Sequence, residues 1–212
     1  MNTSIAELKP AGTAESGREP APLVGFAGAA RAGKDTAADV LLSAGWQRKA
    51  FADKVKEMLY ALDPLMVEKE YAEGVTSLRY EVDGYGWETT KDVYPEVRQY
   101  LQRLGTEGGR AALGENVWVD ALFRDYETWG PTVITDVRFP NEADAIRQRG
   151  GLVILVERPG SSPIAQTGHA SENALTGYAF DAVVRNDGTL WEMYARVMQT
   201  IRAADVNMEH AC

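Results

Sequence analysis

The sequence predicts an α/β domain in which a parallel central sheet lies between two layers of helices. Residues 22–36, PLVGFAGAARAGKDT, feed a short apolar strand into a glycine-framed loop that ends in lysine and opens a helix. Apolar runs of strand length then alternate with segments of helical periodicity, the pattern of successive strand–helix–strand units. A length of 212 residues suits one such domain with a full core and a small inserted lobe.

The elements follow in order. Residues 1–21 mix Ala, Gly, Ser, Glu and Pro without periodicity and read as a flexible tail before a domain spanning 22–205, with 206–212 as a second tail. After the first strand and loop, Ala37, Val40, Leu41 and Ala44 recur at helical spacing. WQRKAF at 46–51 predicts a short second strand, and Val55, Met58, Leu59 and Leu62 a helix. Residues 63–95, rich in Tyr, Glu, Gly and Asp, have no clear period and are assigned to a mobile substrate lobe. Val97, Tyr100, Leu101 and Leu104 predict a helix before LGTEGG, and Val119, Leu122, Phe123 and Tyr126 another that ends near Gly130. PTVITD at 131–136 is a buried strand. A helix over 141–149, a strand at LVILVE, a polar loop from Arg158, a strand at DAVVR and a last helix through Met193, Val197 and Ile201 complete the alternation.

Charge and cysteine usage narrow the function. A net charge of -9 argues against broad binding to nucleic acid or anionic membranes, so basic residues gathered in a cleft point to a small anionic ligand. The one cysteine, Cys212, leaves no internal disulfide or multi-cysteine zinc cluster, which suits a reducing cytoplasm. No run reaches the roughly 18 apolar residues of a membrane span.

The loop carries the strongest chemistry. Gly28, four residues, then Gly33 and Lys34 fits the Walker A spacing of P-loop NTPases: glycines let main-chain N–H groups converge on phosphate oxygens, and the lysine reaches the terminal phosphates. The helix that follows turns its positive end toward the same anion. Asp35 stands where that pattern has Ser or Thr. Asp35, through a water, and Thr36 are the candidate Mg²⁺ contacts, and Thr36 is equally placed to bond a phosphate. Arg31 lies inside the loop.

In a parallel sheet, ligands gather at the carboxyl ends of the strands. Asp136 ends one such run and is followed by Arg138, Asn141 and Glu142, either a site for a metal-directed or substrate-binding acid or a surface turn with a helix cap at Asn141. Lys54 and Lys56 open a helix whose dipole they oppose, which implies an anionic partner or simple solvation. Arg98 and Arg103 flank an apolar helix face as phosphate clamps or as solvated neighbours. Trp118 either stacks on a base or packs in the core. Arg158 follows a strand and faces either a phosphate or solvent. His169, with no evident orienting partner, is given no catalytic role.

Taken together, GAARAGKDT, FADKVK, VRQYLQRLGTEGGR, ENVWVDAL, ITDVRFPNEAD, VERPG, HASEN and VVRNDGTLWEM resemble the deoxynucleoside monophosphate kinases of tailed bacteriophages, from about Leu23 to Ile201. The GKDT variant of the loop is similar to that family's own. The resemblance implies a nucleoside-monophosphate-kinase-like fold with a small substrate or lid insertion, and transfer of the ATP γ-phosphoryl group, with Mg²⁺, to a deoxynucleoside monophosphate. It carries ATP binding onto Arg31, Gly33, Lys34, Asp35 and Thr36, with Asn186 at the adenine. It carries monophosphate binding onto Val55, Lys56, Arg98, Gly105, Trp118, Asp136, Arg138 and Glu142. Lys34, Arg31, Arg138 and, as a lid arginine, Arg158 are the implied catalytic cations. Lys54 departs from a proline common in its block. The resemblance also implies a cytoplasmic enzyme, in the bacterial host if phage-encoded, and allows a homodimer. Closure of 63–95 and 158–172 over the substrates is expected, since water beside an activated phosphate hydrolyses ATP. Other small P-loop kinases, such as dephospho-coenzyme A or phosphomevalonate kinase, and a non-catalytic ATP-dependent binding protein share the loop and remain alternatives.

Overall fold

In the computed structural model, residues 22–67, 74–160 and 174–209 are described. Five parallel strands form the central sheet: β1 (Leu23–Ala27), β2 (Gln47–Lys49), β5 (Thr132–Val137), β6 (Leu152–Glu157) and β7 (Ala182–Arg185). Their spatial order is β2-β5-β1-β6-β7. β1 is thus central, pairing Leu23 with Thr132 on one side and Val24 with Leu152 on the other. From β1 the chain runs to the edge strand β2, returns to β5 and then crosses to β6 and β7, so the connections diverge to opposite sides at β1, where such sheets bind ligands.

Period-2 alternation along the strands builds two core layers. Val24 and Phe26 of β1, with Val133 and Ile154, pack on α1 (Lys34–Ser43) and on α7 (Leu190–Glu209) through Val40, Leu41, Met193 and Val197. Leu23 and Ala27, with Ile134, Val137 and Val153, face the opposite layer. That layer contains α2 (Phe51–Leu62), α5 (Val117–Leu122) and α6 (Pro140–Arg147), with Phe51, Val119, Leu122 and Ile146 inside it. A 3₁₀ turn, Phe123–Thr128, carries Phe123 and Tyr126, which with Trp129 form an aromatic cluster at centroid spacings of 5.4–5.8 Å.

Within 63–95 the described residues form regular elements. β3 (Leu65–Val67) and β4 (Val75–Ser77) form an antiparallel pair, followed by α3 (Leu78–Val93), which carries a break at Gly86. Residues 68–73 lie outside the described set. This lobe has its own core of Leu59, Met66, Leu78, Tyr94 and Val97, shared with α2 and with α4 (Pro95–Arg103). Beyond α4 the chain winds as a π-helix over Leu104–Ala111, LGTEGGRA, a rare form that concentrates at functional sites.

Several boundaries shift from the sequence expectation. Phe51 starts α2 rather than ending β2, α6 begins at Pro140 rather than Asn141, and the backbone of α7 runs on to Glu209, into the segment read as a tail. The N-terminal tail and most of the 158–172 segment, His169 included, lie outside the described residues. No helix among the described residues is long and apolar enough to cross a membrane.

Candidate active site

The loop between β1 and α1 is fixed by contacts that leave no room for side chains at its glycines. Gly28 has φ 143°, and a Cβ there would lie 2.3 Å from the main-chain oxygen of Val156, so the loop leaves β1 hard against β6. Gly33, the N-cap of α1 at φ 101°, would drive a Cβ to 2.4 Å from Asn186 Nδ2. That amide donates to the Ala32 carbonyl at 2.9 Å, so Asn186, at the end of β7, braces the loop from the side. Lys34 curls back, and its ammonium donates to the carbonyls of Gly28 and Ala29, both at 2.8 Å. Arg31 holds φ 63°, a left-handed conformation that non-glycine residues seldom adopt, and stays exposed at the crest of the loop.

Asp35 is exposed in the first turn of α1, where a carboxylate favours the helix dipole, and Thr36 is half-buried beside it. Both present oxygen donors next to the phosphate loop. This fits Mg²⁺, which binds through one or two protein oxygens plus nucleotide phosphates and keeps several waters.

Across the cleft the turn after β5 is an acid–arginine assembly. Both oxygens of Asp136 are engaged: Oδ1 accepts from the Phe51 N–H at 2.8 Å and Oδ2 from the Ala52 N–H at 2.9 Å. No side chain of α2 caps its own N-terminus, so Asp136 supplies the anion there from a strand 85 residues along the chain. Burial raises the Asp136 pKa, opposed by those two N–H groups and by Arg138.

Glu142 is 4% exposed, and its Oε2 accepts from the N–H groups of Arg138 at 2.8 Å and Phe139 at 3.1 Å, closing the first turn of α6. Burial, then the charge of Asp136, push its pKa up to about 8, outweighing those two N–H groups and Arg110. Asn141 is not the helix cap. It donates to the Glu115 carbonyl at 2.9 Å and to Asn116 Oδ1 at 2.8 Å, fastening α6 to the start of α5. The Arg138 side chain is exposed beside Asp136, and among the described residues no hydrogen bond holds its guanidinium.

The remaining predicted residues divide. Val55, Gly105 and Trp118 come together: a Cβ on Gly105 would sit 3.8 Å from the Val55 methyls, and Trp118 Nε1 donates to the Gly105 carbonyl at 2.8 Å. Trp118 is 5% exposed, with its indole against the Gly109 backbone. Lys56 lies 3.9 Å from Asp53 and beneath Trp87, while Lys54 turns to Glu57 at 2.8 Å. Arg98 stands apart, exposed at the α3–α4 junction and paired with Asp92, and Arg103 reaches Glu107 at 3.4 Å on the outer face. Both therefore occupy surface pairs in this conformation rather than the acid–arginine turn. Arg158 is exposed at the carboxyl end of β6.

One residue at this site escapes the motif reading. Arg110, on the π-helix, is 12% exposed, stacks its guanidinium 3.7 Å from the Phe139 ring centre and donates to Asn141 Oδ1 at 3.0 Å. Its Nη1, 3.7 Å from Glu142 Oε1, is too far for a hydrogen bond and has no other acceptor. The sequence signal was a glycine-rich break in a helix followed at once by arginine.

The family model for deoxynucleotide monophosphate kinase matches residues 88–197. A putative deoxynucleotide monophosphate kinase of Acanthamoeba polyphaga mimivirus is 31% identical over 194 residues, covering 84% of this chain and 95% of that protein. The deoxynucleotide monophosphate kinase of Enterobacteria phage T4 is 31% identical over 111 residues, 50% of this chain and 45% of that enzyme. Among solved structures, a gluconokinase from Sinorhizobium meliloti 1021 aligns over 92% of this chain and 99% of its own at 16% identity and a TM-score of 0.42. At that score the fold assignment rests on the sheet order and the loop. The chain belongs to the deoxynucleotide monophosphate kinase family.

Proposed function

We propose that this kinase transfers the γ-phosphoryl group of ATP to a deoxynucleoside monophosphate held between the β1–α1 loop and the turn after β5. The observation that carries the reading is the side-by-side placement of these two elements at the carboxyl ends of adjacent parallel strands. One is a phosphate-shaped loop with Lys34 inside its curl; the other is an acid–arginine turn locked to the start of α2.

On the donor side, the loop N–H groups and the N-terminus of α1 receive the triphosphate, and Lys34 exchanges its two carbonyl partners for phosphate oxygens. Arg31, at the crest, adds positive charge, and Asn186 keeps the loop in shape beneath the nucleoside. Asp35, through water, and Thr36 would hold Mg²⁺, which when bound neutralises charge on the transferring phosphates. On the acceptor side, Arg138 meets the monophosphate, with Arg158 a second cation at the end of β6, across β1 from the β5 turn. Val55, Lys56 and Gly105 form the wall toward α2, and Glu142 and Asp136 set the turn that presents Arg138. Arg98 joins only if its pair with Asp92 opens on binding.

The acceptor oxygen already carries negative charge near neutral pH, so no strong general base is needed. Positioning and electrostatic stabilisation provide the acceleration. Nucleotide substrates place the enzyme in the cytoplasm. The test is ADP release from ATP with dGMP, dTMP, dCMP and dAMP supplied separately. Release that depends on at least one acceptor is expected; none with any of them would leave an ATP-dependent binding protein or a kinase for another acceptor.

A further inference from the structure

Two groups of acceptor-side residues lie on different elements. Val55, Gly105 and Trp118 join α2, the π-helix and α5, while Asp136, Arg138 and Glu142 belong to β5 and the first turn of α6. Asp136 ties the second group to α2 and Asn141 ties it to the start of α5; Arg110 is the side chain that ties it to the π-helix. It leaves the π-helix five residues after Gly105, lies face-on to Phe139 and bonds Asn141, the two residues that bracket Pro140 at the start of α6.

We infer that Arg110 is a positioning residue for the acceptor monophosphate, locking the 138–142 turn to the π-helix so that Arg138 and the Gly105 wall keep a fixed separation. This rests on the cleft assignment above. Direct contact with substrate is the competing role, and burial decides against it: the Arg110 side chain is 12% exposed and its unpartnered Nη1 is shielded from solvent. A ligand atom reaches Nη1 only if the turn moves. The arrangement also requires a guanidinium. One flat group covers an aromatic ring while an edge N–H meets the Asn141 carbonyl oxygen, a combination the compact lysine ammonium does not reproduce. Nη1 faces Glu142 Oε1 at 3.7 Å, an ion pair without a hydrogen bond, so the same guanidinium also holds the π-helix to the first turn of α6.

The test uses the full chain with Arg110→Met and Arg110→Lys, read as separate KM values for ATP and for the monophosphate that the wild type accepts best, together with kcat and thermal unfolding. In Arg110→Met the monophosphate KM is expected to rise about tenfold or more while the ATP KM stays within about twofold. Arg110→Lys keeps the charge and is expected to recover only part of the loss. Should Arg110→Met fail to fold, Arg110→Lys carries the same comparison. An unchanged monophosphate KM in a folded variant, or an equal rise for both substrates, overturns the inference and leaves the reaction assignment standing. Absence of turnover by the wild type with every monophosphate removes the assignment, and this inference with it.

Discussion

Glu142 offers a quantitative handle on the turn after β5. Its pKa stands at about 8 against a usual 4.5, chiefly because the carboxyl is buried and faces Asp136. An acid whose pKa is higher in the folded state binds its proton more tightly there than in the unfolded chain. Below pH 4.5 both states are protonated and nothing is lost. Between 4.5 and about 8 the unfolded chain ionises while the native state does not, so native stability falls as pH rises, by roughly 1.4 kcal/mol per pH unit. Above pH 8 the loss is complete, on the order of 5 kcal/mol. Glu142→Gln keeps an acceptor for the Arg138 and Phe139 N–H groups but cannot ionise. Urea unfolding of both proteins at half-unit steps from pH 5 to 8.5 reads the effect. The wild-type stability minus that of the variant should fall steadily to about pH 8 and then level. Asp136, shifted in the same direction, is present in both proteins. Parallel pH profiles would refute the claim that Glu142 is held as a neutral acid.

Lys34→Ala should abolish phosphoryl transfer while leaving the far-UV circular dichroism and the unfolding midpoint near wild type, because the lysine's bonds to Gly28 and Ala29 lie within a surface loop rather than in the core; normal turnover by a folded variant contradicts its role. Gly28→Ala should destabilise by about 3 kcal/mol and Gly33→Ala by less, measured by chemical denaturation, since a methyl at the first meets the Val156 backbone and at the second a side-chain amide that can swing away. Equal losses would show that the β6 contact is not what constrains Gly28. Asp136→Asn offers one acceptor oxygen to two N–H donors and should lower stability by about 1–3 kcal/mol at neutral pH; an unchanged midpoint would mean that the α2 N-terminus is satisfied elsewhere.

The donor half of the site was legible because its physics is local. Glycines, lysine and the strand before them lie within a dozen residues, and the strand, the tight loop and the helix after it form where the spacing implies. β5, β6 and β7 were equally readable as apolar runs between helical segments. The small lobe was not. β3 and β4 have three residues each, and Leu65, Val67 and Val75 stay exposed while Met66 and Thr76 turn inward, too short an alternation to stand out from its surroundings. Asp136 stands out at a strand end, yet its bonds to the start of α2 span the whole lobe and leave no mark on nearby spacing. Arg110 was hidden differently. A π-helix rotates its side chains away from the positions that helical periodicity assigns, so an arginine that looks like a surface residue enters the joint between two walls. Trp118, in contrast, followed its amphipathic helix into the core as that pattern implies.

The most direct measurement follows the phosphoryl group itself. ATP labelled at the γ-phosphate is incubated with the protein, Mg²⁺ and each deoxynucleoside monophosphate, and the products are separated by charge. Label in the β-position of a deoxynucleoside diphosphate, lost in Lys34→Ala, is the expected result. Label confined to ATP and inorganic phosphate with every acceptor would contradict the proposed transfer.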